Sequence, residues 1–136
     1  MLQPSQRKYK KEFRGRLKGI DNRGSKLSYG SFGLQALDRG WIKSVEIEAA
    51  RKAIVNYTKR KAKLWVKIFP FKPYTKKNDE AVRGGGKGEV VGYVSVVRPG
   101  RILFEIGGVP ENVAKEALRL ASAKISVKTR FVSKND

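Results

Sequence analysis

Few residues of this chain could do chemistry, and two types are missing. No histidine and no cysteine occurs among its 136 residues. Ser–His and Cys–His nucleophile–base pairs, histidine and thiolate metal sites and disulfides are therefore excluded within the chain. Carboxylates remain. Glu46 and Glu48 stand two apart in a helix-periodic segment, so they do not face each other. They suit the positive first turn of a helix better than an acid–base pair. Asp79 and Glu80 sit in polar, loop-like sequence and read as solvated. No nucleophile–base pair supports an enzyme.

The sharpest local motif is VRGGGKG at 82–88, with Arg83, Gly84, Gly85, Gly86, Lys87 and Gly88. A nucleotide-hydrolase phosphate loop needs Gly, four residues, then Gly-Lys-Ser/Thr. Here Gly86-Lys87 is followed by Gly88, and Ala81 stands where the first glycine belongs. The motif has no hydroxyl for magnesium, so it does not read as a nucleotide site. It is either a hairpin tip or a tip that lets backbone approach RNA, and its basic surroundings favour the second.

Those surroundings dominate the chain. Thirty-one Lys and Arg against twelve Asp and Glu leave a formal charge of +19. About 2–8 charges suffice for the solubility of a small domain. A compact body this basic calls for a polyanion, and each nucleic-acid phosphate it neutralises releases a counterion. An anionic membrane surface is the physical rival. The charge is concentrated in residues 1–30, with nine basic and two acidic residues, and in 59–88, with ten basic and two acidic. In the first segment Arg7, Lys8, Lys10, Lys11, Arg14, Arg16 and Lys18 interleave with Tyr9 and Phe13. In the second, Lys59, Arg60, Lys61 and Lys63 cluster ahead of Trp65. Cations among aromatics suit phosphates and unpaired bases. Trp65 and Phe69 share a strand face with Lys67, as a stacking platform or, the favoured reading, as residues buried under a helix.

Residues 1–26 read as a basic extended arm, disordered until RNA orders it, and 27–136 as one globular domain with a Gly-rich loop at 71–92. Short β-structure is expected at 27–37, with Leu27, Tyr29, Phe32 and Leu34 available to a core. A helix over 44–60 would be capped by Ser44 and buried along Ile47, Ala50, Ile54 and Tyr57. KLWVKIFP at 63–70 alternates as a strand, and 71–88 reads as loop. Strands at 93–97 and 101–106 flank the turn Arg98-Pro99-Gly100-Arg101. A second helix runs from Pro110 to about Lys124, buried along Val113, Ala117, Leu120 and Ala121, and a last strand covers 125–132. The class is α+β: a largely antiparallel sheet with two packed helices. No apolar run approaches a membrane span.

Taken together, these blocks resemble the bacterial-type L-sixteen family of large-subunit ribosomal proteins. The resemblance rests on MLQP and RKYKKEFRGRLKG in the arm, GLQAL at 33–37, IEAARKA at 47–53 and KRKAKLWVKIFPFKP at 59–73. GGKG at 85–88, RPGRILFEIGGV at 98–109 and AKEALRLASAK at 114–124 complete it. Three departures stand out. Ser5-Gln6-Arg7 replaces the family's Lys-Arg-Thr, the loop lacks the usual Met after Arg, and Gly92 stands where an aromatic is common. The resemblance implies an α/β-hammerhead-like fold and a non-enzymatic structural role without cofactors. It implies large-subunit rRNA, tRNA of the A site or of the P site, and neighbouring ribosomal proteins as partners, with no membrane and no homo-oligomer. The arm and residues 59–63 would hold rRNA, and the 83–88 loop would approach tRNA. The setting implied is the cytoplasmic ribosome of a bacterium, or an organellar ribosome. A free-standing nucleic-acid regulator or chaperone is the second class, and a small nuclease or phosphotransferase the third.

Overall fold

A computed structural model describes residues 24–76 and 89–134. Seven strands and two helices run in the order β1 (Phe32–Ala36), β2 (Gly40–Lys43), α1 (Ser44–Tyr57), β3 (Lys63–Val66), β4 (Lys72–Lys76), β5 (Glu89–Val97), β6 (Ile102–Gly107), α2 (Glu111–Ser122) and β7 (Thr129–Ser133). Every strand pairing is antiparallel. One sheet has the order β3-β6-β1-β7 and a second the order β2-β5-β4. The class is α+β, as the sequence indicates.

Strand β6 lies inside the larger sheet and is buried at every position. Its sequence ILFEIG is accordingly a nearly continuous apolar run. Residues opposite each other in a ladder share a face. Leu34 opposite Phe104, and Leu64 opposite Ile106, belong to the face that joins the helices in one core. The helices contribute Ile47, Ala50 and Ile54 from α1, and Ala114, Ala117, Leu118 and Ala121 from α2. Alanines at this spacing let the two helices approach closely.

Several details differ from the sequence reading. Tyr57 is 43% exposed, because Thr58 takes the inward position and its hydroxyl donates to the Ile54 carbonyl at 2.8 Å. Helix α2 buries Ala114 and Leu118, while Val113 and Leu120 are only half-buried. Lys43 rather than Ser44 is the N-cap of α1. The stretch 71–88 contains β4, which Pro73 does not prevent because β4 is an edge strand. The last strand begins at Thr129, since Lys124 and Ile125 still bond back to Ala121 and Ser122. The 98–101 turn is as expected, with Gly100 at φ +97° and Arg101 N–H donating to the Arg98 carbonyl.

Candidate nucleic-acid interface

The basic cluster 59–63 is built on the end of α1. The Arg60 N–H donates to the Val55 carbonyl at 3.1 Å and the Lys59 N–H to Asn56 at 3.3 Å. This is the Schellman pattern, whose position after the cap is usually glycine. Here it is Lys59 at φ +52°, followed by Arg60 at φ +63°. Left-handed backbone costs an L-residue roughly 1–2 kcal/mol. The chain therefore keeps two long cations where glycine would be less strained. Lys59, Arg60, Lys61 and Lys63 are all exposed, and their side chains make no ion pair or hydrogen bond among the described residues.

Strand β3 carries this turn into the face of the larger sheet opposite the helices. Lys63 lies across from Gly107 and Trp65 across from Glu105. Residues 24–31 run over this face as a strap. Its contact is close where glycines remove side chains. A Cβ on Gly30 would stand 2.7 Å from the Ile106 carbonyl oxygen, and one on Gly33 would stand 2.5 Å from the Leu27 side chain. The strap is tied further by the Ile102 N–H to the Gly24 carbonyl at 2.7 Å.

Its main anchor is Glu105, a fully buried carboxylate. Oε1 accepts the backbone N–H groups of Ser28, Tyr29 and Gly30 at 2.9, 2.7 and 2.8 Å. Oε2 lies 3.7 Å from the Lys67 ammonium. Burial pushes the carboxyl up, but the N–H groups of Gly30, Tyr29 and Ser28, with the Lys67 charge, outweigh it and hold its pKa below the ordinary value. Glu105 is thus an anion held in a cup of backbone donors, an arrangement no local motif in ILFEIG announces.

Pinning the strap sets Tyr29 over β3. Its ring stacks on Trp65 at 6.0 Å between centroids and 20° between planes. The Lys67 ammonium sits 4.4 Å from the same ring. What covers Trp65 is therefore a tyrosine of the strap, where burial under a helix was the favoured expectation. Tyr29 itself, expected in the core, is 64% exposed.

The smaller sheet carries a second set of rings and lysines. Lys43 lies 5.7 Å from the Tyr74 ring and Lys72 lies 5.4 Å from the Trp41 ring. A Cβ on Gly92 would stand 2.8 Å from Tyr74. Gly92, across the ladder from Tyr74, thus leaves room for the ring supplied by β4. Lys76 pairs with Glu89 at the end of this ladder, so the segment holding Arg83 to Gly88 connects β4 to β5. That segment and the arm residues Arg7, Lys8, Lys10, Lys11, Arg14, Arg16 and Lys18 lie outside the described residues. Sequence reading missed Tyr29, Glu105 and the Trp41–Tyr74 face; only the i, i+2 spacing of Trp65 and Lys67 signalled part of the first.

Among the described residues no group of acidic side chains could hold a metal ion, and no helix is long and apolar enough to cross a membrane. Residues 4–132 match the family model of ribosomal protein L16p/L10e. The chain belongs to this family. It is 53% identical over 136 residues to the large ribosomal subunit protein uL16 of Christiangramia forsetii, covering 100% of this chain and 98% of that protein. It is 52% identical to the uL16c of Phaeodactylum tricornutum, covering 100% and 99%. With the uL16 of Aquifex aeolicus the identity is 53% over 131 residues, covering 96% and 92%. An L16p/L10e protein is a structural component of the ribosome and not an enzyme, which agrees with the missing nucleophile–base pair.

Proposed function

We propose that this L16p/L10e protein is held in the large ribosomal subunit by its rRNA, with Lys59, Arg60, Lys61 and Lys63 as phosphate contacts. The observation that carries this is the cluster itself: four exposed cations without carboxylate partners among the described residues, two of them on left-handed backbone. Unpaired cations on a body of charge +19 gain most from a polyanion. The arm residues Arg7, Lys8, Lys10, Lys11, Arg14, Arg16 and Lys18 would add further phosphate contacts, since they form the other dense run of cations in the chain.

The finer part of the reading is that the 83–88 loop, carried by the β4–β5 hairpin, approaches tRNA of the A site. Glycines at 84, 85, 86 and 88 keep side chains out of the way, while Arg83 and Lys87 supply charge.

Changing Lys59, Arg60, Lys61 and Lys63 together to Gln tests the first part. The slope of log K against log salt for large-subunit rRNA should become shallower by about 0.7–0.9 per lost phosphate contact. An unchanged slope means that the cluster is only solvated. For the second part, bulky residues at Gly85 and Gly86 should leave the melting temperature of the free protein unchanged and weaken aminoacyl-tRNA binding by subunits carrying them. Wild-type tRNA affinity in those subunits rules out the tRNA assignment.

A further inference from the structure

We propose that Tyr29 is a stacking site for one unpaired RNA base. This rests on the rRNA reading and adds what the lysines alone cannot give, a preference for single-stranded over paired RNA. Three observations lead to it. The ring is 64% exposed although it belongs to a segment pinned by three backbone hydrogen bonds. A free surface tyrosine would lose rotamer freedom on binding; this one is already backed by Trp65 and Lys67. Pre-ordering of this kind removes part of the cost of association.

The partner's chemistry follows from what surrounds the ring. Lys63 on β3 and Lys67, just past its end, stand two residues either side of Trp65, each about 6.6 Å along the chain. The exposed turn Lys59 to Lys61 leads directly into that strand. An apolar protein surface would leave these cations unpaired, whereas a nucleotide brings a π-face and a phosphate together. Glu105, the carboxylate under the strap, is buried, and its charge is taken up by Lys67 and the strap.

The experiment uses the full chain and two probes: a 12-nucleotide single-stranded RNA with 2-aminopurine at its centre, and a 12-base-pair RNA duplex. Tyr29→Leu keeps apolar cover on Trp65 and the backbone bonds to Glu105, so the fold should hold, as a thermal melt would confirm. Tyr29→Phe keeps the ring. For the single strand, Tyr29→Leu should weaken binding about 5- to 150-fold, the range for loss of one stacking ring, with the salt slope unchanged. It should also abolish 2-aminopurine quenching. Tyr29→Phe should restore both, and duplex affinity should stay at wild type in either variant. Equal losses on strand and duplex would overturn the proposal, as would single-strand binding and quenching unchanged by Tyr29→Leu. In that last case a protein neighbour is left as the ring's occupant. The rRNA reading fails separately, through the four-residue Gln variant, so the two can be told apart.

Discussion

Replacing Lys59 and Arg60 together by glycine should make the free protein more stable and the RNA-bound protein weaker. Each site holds an L-residue in left-handed backbone, at φ +52° and +63°. That costs roughly 1–2 kcal/mol per residue. Glycine removes it but loses about 0.5–1 kcal/mol more conformational entropy on folding. The net gain is about 0.5–1 kcal/mol per site, or roughly 1–2 kcal/mol for both if they add. Neighbours need not add, so the single variants belong in the series. At roughly 3–5 °C per kcal/mol for a chain of this size, the melting temperature should rise by about 3–10 °C. Charge is the confounding variable, because both cations also favour the C-terminal end of α1. The Lys59→Gln, Arg60→Gln double variant removes the same charge and keeps the strain. Both doubles should lose about 1.4–1.8 from the salt slope of RNA binding, and only the glycine double should melt higher. Equal melting temperatures for the two doubles would show that no strain is stored in this turn.

Two further outcomes concern the strap. Gly30→Ala places a methyl 2.7 Å from the Ile106 carbonyl oxygen and 2.9 Å from its nitrogen, and backbone cannot swing aside as a side chain does. It should destabilise the protein by about 1–3 kcal/mol in urea unfolding, and a midpoint at wild type would mean that the strap does not rest on β6. Glu105→Gln should cost about 2 kcal/mol at neutral pH, the scale of charge-assisted hydrogen bonds lost from a buried site. Because the Glu105 pKa is lower folded than unfolded, its contribution is complete above the unfolded value of about 4.3 and disappears as pH falls through the folded value. The gap between wild type and variant in urea midpoint should therefore narrow from pH 7 to pH 3; parallel curves would refute the assignment.

What could be read from the sequence divides along physical lines. Helix periodicity placed α1 and α2 within a few residues, because Ile47, Ala50 and Ile54, like Ala117 and Ala121, repeat every three or four positions and face one core. The Pro-Gly turn at 99–100 was legible because its backbone demands those residues. Strands β2 and β4 were not, since GWIK and KPYTK owe their state to pairing with β5, which is a non-local fact. The basic cluster was visible as composition, but its left-handed turn was not, because no glycine marks it. Tyr29 reads from sequence as one of several residues available to a core. Its exposure follows from Glu105, 76 residues away in sequence, which holds the strap flat and turns the ring outward.

That long-range tie joins the strap to the face of the sheet that carries Trp65 and Lys67. An arm of high charge gains little from folding by itself, since like charges repel and few apolar groups are available to bury. The fold fixes the residues that follow the arm in sequence. Three N–H groups on Glu105 set where residues 28–30 lie, and glycines at 30 and 33 let them lie against the sheet. The buried anion also pairs with Lys67, at 3.7 Å. Glu105 thus gives up stability at low pH to hold a cation-rich surface together at neutral pH. The Glu105→Gln variant should therefore lose RNA affinity as well as stability, although Glu105 is buried and touches no RNA. If its affinity and salt slope match wild type once the protein is folded, the anchor serves the fold alone and the interface does not depend on how the arm is rooted.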